Sequence, residues 1–166
     1  RSIPISLPSL AEQEKIASFL SLIDERIQSC SETIKERKRE KAALLNQLFS
    51  QKLRFPQFSD EWQQTMLGEI AEILNSRRKP ITSSDRVRED YPYYGASGII
   101  DYVNEYIFDE QLLLIGEDGA KWGKDEKTAF IVSGRCWVNN HAHVLRFQNY
   151  PTYKLIEAFF FSLNLK

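Results

Sequence analysis

Ser9-Leu10-Ala11-Glu12-Gln13-Glu14-Lys15-Ile16 opens the stretch that decides the fold. Ser9 followed three residues later by Glu12 is a capping box: the hydroxyl accepts from an orphan amide of the first turn, and the carboxylate reaches back. From there to Lys52 the chain holds no Pro and no Gly, so no residue in it breaks a helix. Apolar residues recur at Ile16, Leu20, Ile23, Ile27, Cys30 and Ile34, then after an interruption at Leu44 and Leu48. Steps of four and three are the heptad rule of a helix that lies along another helix. Roughly 40 residues at about 1.5 Å each predict a rod of about 60 Å. A domain of this size cannot bury such a rod. The seam Ile16, Leu20, Ile23, Ile27, Ile34, Leu44 and Leu48 is therefore predicted to meet a partner. Arg37 and Lys41 fall on the seam and divide it in two. They read either as a solvated face of mixed ion pairs or as basic groups facing a polar partner or a nucleic-acid backbone.

Outward from the helix, Arg1 to Leu7 alternate apolar and polar groups before Pro8, the pattern of a strand end feeding a turn. Downstream, Leu53-Arg54-Phe55-Pro56 stops the helix, because Pro cannot continue it and restricts its predecessor. Met66 to Leu74 has the apolar spacing of a short helix, and Asn75 to Ser84 is a turn-rich basic segment. From Tyr93 onward short strands are predicted at Gly98–Val103, Gln111–Ile115, Thr128–Val132 and His141–Phe147, with a last helix from Thr152 to Leu163. The expected class is α+β: a long coiled-coil-like helix followed by a compact mixed α/β domain with short strands. The expected divisions are 1–8; 9–53, the helix; and 54–166, the compact domain.

Composition excludes several classes. Of 166 residues, 42% are hydrophobic, 12% aromatic and 27% charged, with a net charge of −1, enough for one sizeable core. Nothing approaches a run of about 18 apolar residues, and the N-terminus lacks the basic and apolar regions of a signal peptide. Cys30 and Cys136 show no pairing pattern, which fits a reducing compartment. A cytoplasmic chain with no membrane association is expected. The absence of an initial Met, and the strand-like opening, predict a fragment.

Catalytic patterns do not assemble. His141 and His143 share a strand face at metal-ligand spacing, but no third ligand follows at a usual interval. Asp125-Glu126 with Asp109 or Asp118 makes only a weak acidic nuclease pattern. Gly116-Glu117-Asp118-Gly119-Ala120-Lys121-Trp122-Gly123 lacks the Gly-Lys-Ser/Thr ending of a phosphate loop, and its carboxylates would repel phosphate. Ser97-Gly98 and Ser133-Gly134 lack the glycine context of a nucleophile elbow. No catalytic residue, metal or cofactor is predicted.

What remains is a vocabulary for recognition. Arg77, Arg78, Lys79, Thr82, Ser83, Tyr94, Ser97, Lys121, Trp122, Lys124, Asn139, Asn140 and His141 lie in predicted loops. Lys, Arg and hydroxyl groups suit phosphate oxygens, while Asn, Arg and His suit base edges. Polar loops on a small domain offer the same residues without any such role. Charge argues for local patches: residues 1–53 hold nine Lys or Arg against seven Asp or Glu, and residues 54–166 hold 13 against 16. A domain relying on bulk attraction to DNA would be basic.

Four blocks, in order, resemble the specificity (S) subunit of type I restriction-modification systems. They are Ile3-Pro4-Ile5-Ser6-Leu7-Pro8 running into the helix through Ile27; Leu53-Arg54-Phe55-Pro56 through Trp62 with Leu67-Gly68-Glu69-Ile70; Tyr93-Tyr94-Gly95-Ala96-Ser97-Gly98 through Val103; and Leu114-Ile115-Gly116-Glu117-Asp118-Gly119-Ala120. The resemblance implies a non-catalytic subunit that reads half of a split site on double-stranded DNA with each of two target-recognition domains. It also implies long antiparallel spacer helices that dock methyltransferase (M) subunits, with restriction (R) subunits joining through that assembly. On this resemblance residues 1–8 end a preceding recognition domain, 9–53 are the spacer helix, and 54–166 begin a target-recognition domain that is cut short at its C-terminus. Without an antiparallel mate, the helix is expected to self-associate. Two readings stay open: a DNA-reading module, and a truncated assembly module that binds M or S chains without reading DNA. Substituting Arg77, Arg78 and Lys79 should weaken DNA binding only under the first.

Overall fold

The computed structural model describes residues 3–120 and 128–163. The predicted long helix is α1, Leu10–Phe49, 40 residues long. Its start is the one the sequence announces: Glu12 N donates to Ser9 Oγ (3.4 Å), and the Gln13 side chain donates to the Pro8 carbonyl (2.8 Å). The stop comes earlier than Pro56. Gln51 adopts a left-handed φ of 58°, and Leu53 N returns to the Gln47 carbonyl (3.1 Å). That bond satisfies a carbonyl that the ending helix would otherwise leave open. Residues 3–9 form no regular secondary structure, which corrects the expected strand. A strand needs a ladder partner, and no described segment pairs with this one.

The chain divides into two units, residues 1–44 and 45–166. Within the first, the seam lies open: Ile23 is 41% and Ile27 59% exposed, with Ile16, Leu20, Ile34 and Leu44 exposed as well. Within the second, Leu45 is buried and Phe49 meets Trp62 and Phe159 edge to face, with ring centroids 6.4 and 5.4 Å away. Among the described residues no helix is long and apolar enough to cross a membrane.

Among the described residues, unit two holds two four-stranded sheets. Its strands are β1 Glu72–Ile73, β2 Tyr91–Gly95, β3 Gly98–Val103, β4 Phe108–Asp109, β5 Leu112–Gly116, β6 Ala129–Val132, β7 Arg135–Val138 and β8 Ala142–Arg146. One sheet runs β1-β8-β5-β6 and is antiparallel throughout; the other runs β3-β2-β7-β4, with β2 and β7 parallel. The helices of this unit are α2, Leu67–Ile70, and α3, Tyr150–Ser162. The expected helix over Met66–Leu74 is thus half right. After one turn the backbone extends at Ala71, and Glu72 and Ile73 pair with Arg146 and Leu145. Apolar spacing that short suits helix or strand, and the ladder decides.

The centre of the fold is β5, whose Leu112-Leu113-Leu114-Ile115 is buried on both faces. Alternation sorts it. Leu112 and Leu114 join Phe108, Cys136, Val138 and Val144 between the sheets, while Leu113 and Ile115 join Leu145, Phe147 and Tyr153 under α3. A third cluster, Tyr93, Val103 and Trp137, lies on the outer face of the second sheet beneath Ile81. The start of α3 is fixed by Asn149, whose side chain accepts from Thr152 N (3.0 Å).

Candidate nucleic-acid interface

Four polar segments converge where the strands of unit two end: Asn75–Lys79, Tyr94–Gly98, Gly116–Ala120 and Asn139–His141. Main-chain bonds tie them together. Lys79 N donates to the Val138 carbonyl (3.1 Å), Asn139 N to the Tyr94 carbonyl (3.0 Å) and Glu117 N to the His141 carbonyl (2.8 Å). Gly116 and Ala96 approach so closely that a Cβ on Gly116 would lie 2.4 Å from the Ala96 carbonyl oxygen. Only Gly permits that approach.

Asn75 begins a single 3-10 turn, Asn75–Arg77, directly after Leu74. Leu74 N donates to the Val144 carbonyl (2.9 Å), and the Asn75 side-chain oxygen accepts from Val144 N (2.9 Å). The side chain thereby lengthens the β1–β8 ladder by one rung. With its oxygen so engaged, Asn75 presents its NH2 to His143 Nδ1 (2.9 Å). That leaves His143 Nδ1 as acceptor and puts the ring proton on Nε2, facing Glu117 Oε2 at 3.6 Å. Asn75, Glu117 and Gly116 were not among the expected site residues. An Asn closing an apolar run before a basic turn is the signal that would have pointed to the first.

The expected recognition residues fall into separate groups. Arg77 lies across the Phe108 ring, 4.4 Å from its centroid, and donates to Glu110 (3.1 Å) and the Ile107 carbonyl (2.5 Å). Arg78 bonds Glu117 (2.8 Å), with carbonyl oxygens of Asn75, Asn140 and Ala142 around it. Asn139 is 4% exposed and accepts from His141 N (2.8 Å). Tyr94 is half-buried beside Phe130, and burial raises its phenol above the ordinary value. Lys79, Ser97, Asn140 and His141 lie exposed on the convergent segments. Thr82 and Ser83 sit apart, in a turn where Thr82 Oγ1 donates to Asp85 (2.6 Å). Lys121, Trp122 and Lys124 lie outside the described residues.

His141 and His143 do not share a strand face as expected, because β8 begins at Ala142 and His141 belongs to the preceding turn. Among the described residues no group of three His, Cys, Asp or Glu is gathered as a metal would require. Glu117 is held below the ordinary carboxylate range by the hydrogen bond from Arg78, with burial opposing it. The arrangement offers hydrogen-bonding side chains on a main chain that is held fixed. It suits reading a surface.

Residues 59–166 match the family described as the type I restriction modification DNA specificity domain. Over 85 residues the chain is 44% identical to a Haemophilus influenzae protein named as a type I restriction enzyme specificity subunit, covering 51% of this chain and 21% of that protein. The fold is similar to the S subunit of a type I restriction-modification system from M. genitalium, with a TM-score of 0.68 at 21% identity. That likeness covers 92% of this chain and 43% of the other. The chain thus spans less than half the length of either relative.

Proposed function

The chain belongs to the family of type I restriction modification DNA specificity domains, and from that premise we propose that it supplies sequence recognition to a type I restriction-modification complex. In this reading residues 54–166 form a target-recognition domain that reads part of a bipartite site on double-stranded DNA. The observation that carries it is the convergence of four polar segments on one end of the two sheets, joined by main-chain bonds. Lys79, Ser97, Asn140 and His141 are exposed there, and Thr82 and Ser83 are exposed on a separate turn. Arg78, Tyr94 and Asn139 stand behind them, while Arg77 is exposed and bonds Glu110 and the Ile107 carbonyl. The role is recognition without chemistry, in the cytoplasm where the DNA is.

Helix α1 is the docking element. Its exposed seam from Ile16 to Ile34 suits a partner helix, and M subunits, R subunits assembled through them, or a second S chain are the proposed occupants. Selection from a randomised duplex pool by the assembled complex tests the reading. A half-site should be enriched; a retained pool with no shared sequence counts against DNA recognition and in favour of a purely assembling role.

A further inference from the structure

Arg78 sits behind the exposed loop face. Its side chain is 17% exposed, and Nε and Nη1 are turned inward. Nε donates to the Asn75 carbonyl (3.1 Å), and Nη1 lies within reach of Glu117 Oε2 (2.8 Å), the Ala142 carbonyl (3.0 Å) and the Asn140 carbonyl (3.3 Å). The carbonyls of Asn140 and Ala142 stand on either side of His141. One guanidinium nitrogen therefore holds the chain both before and after that residue.

Both main-chain polar groups of His141 are engaged. Its amide donates to the Asn139 side chain (2.8 Å), and its carbonyl accepts from Glu117 N (2.8 Å). Asn139 in turn donates from its main chain to the Tyr94 carbonyl (3.0 Å). Glu117 serves twice, receiving Arg78 on its carboxylate and fixing His141 through its amide. The turn Asn139–His141 is thus clamped from the Asn75 side by Arg78 and from the β5 side by Glu117, while Asn140 and His141 remain exposed.

We propose that Arg78 is a positioning residue for sequence reading: it sets the turn that presents Asn140 and His141, and it is not a phosphate contact. The inference rests on the DNA-reading role proposed above. It departs from the simplest use of an arginine in a basic loop, where the guanidinium would bind the DNA backbone. A phosphate contact and a positioning residue differ in one measurable way. Losing a phosphate contact weakens binding to all sequences and lowers the slope of log affinity against log salt by about one. Losing a positioning residue weakens only the specific site and leaves the slope unchanged.

The test is Arg78→Gln in the full specificity chain assembled with its methyltransferase, titrated with its enriched duplex and with a scrambled duplex over a range of salt. The expected result is a loss of about ten-fold or more on the enriched duplex, little change on the scrambled one, and equal slopes. A slope lowered by about one on both duplexes would overturn the proposal while leaving DNA recognition intact. A wild-type complex that does not distinguish the duplexes would instead remove the reading on which it rests. If Arg78→Gln does not fold, Glu117→Gln decides, since it loosens the same clamp from the other side. Positioning requires that variant to lose affinity for the enriched duplex alone. A gain on both duplexes means that Arg78 was released to bind phosphate, and the proposal fails.

Discussion

Arg78 and Glu117, 39 residues apart in sequence, meet through a 2.8 Å hydrogen-bonded ion pair that joins the turn after β1 to the loop after β5. The pair leads to a prediction about the response to acid. Because Glu117 in the folded protein titrates below its ordinary value, its contribution to stability is present above that ordinary value. It is lost as pH falls through the lowered one. Glu117→Gln is expected to lower stability at neutral pH and to flatten part of the acid limb of a melting-temperature profile. An unchanged acid limb would show that the pair does not contribute.

Gly116 is predicted to be irreplaceable even by Ala. The added Cβ would meet the Ala96 carbonyl oxygen at 2.4 Å and the Ala120 Cβ at 2.6 Å. Neither backbone nor a neighbouring Cβ can turn away as a long side chain would. Overpacking of this kind costs about 1–3 kcal/mol, so the midpoint of urea unfolding should fall. A midpoint equal to wild type would mean the two loops can part without loss.

The two cysteines should behave oppositely. Cys30 is exposed on α1, whereas Cys136 lies buried between the sheets with its thiol pushed up to about 12 by burial. Alkylation at neutral pH, with the α1 seam opened by Ile23→Asp and Ile27→Asp, should modify one thiol in the folded protein and two in denaturant, as read by intact mass. Rapid native modification of Cys136 would contradict the packing described.

The seam of α1 leads to a prediction about assembly. With Ile16, Leu20, Ile23 and Ile27 exposed along one helix, the isolated chain is expected to self-associate, as measured by light scattering on a size-exclusion column. Ile23→Asp combined with Ile27→Asp should shift it to monomer, because a carboxylate buried in a helix seam is strongly disfavoured. A monomeric wild type would remove the helix from the list of self-association surfaces.

The sequence showed unequal parts of this fold, for physical reasons. Helix α1 was legible because 40 residues of one period repeat the same message, and β5 because a run buried on both faces must be apolar throughout. β2, β4 and β7 are not legible: a Pro and a Gly interrupt Tyr91-Pro92-Tyr93-Tyr94-Gly95, Phe108-Asp109 and Arg135-Cys136-Trp137-Val138 are too short to carry a period, and β2 and β4 both pair with β7 across long stretches of chain. β1 was taken for helix because five apolar positions suit both structures. At the candidate site, Lys79, Asn140 and His141 could be named from residue type alone. The inward turn of Arg78 could not, because its four acceptors, on Asn75, Glu117, Asn140 and Ala142, come from three segments brought together only by folding.

The most direct test of DNA recognition is a genome-wide map of methylated sites in cells carrying the matching methyltransferase subunit. The map should be made with the full specificity chain, with its Asn140→Ala, His141→Ala double variant, and with no specificity chain. The account predicts one bipartite motif with the intact chain, a motif relaxed or lost in one half with the variant, and none without the chain. The same motif in all three would contradict it.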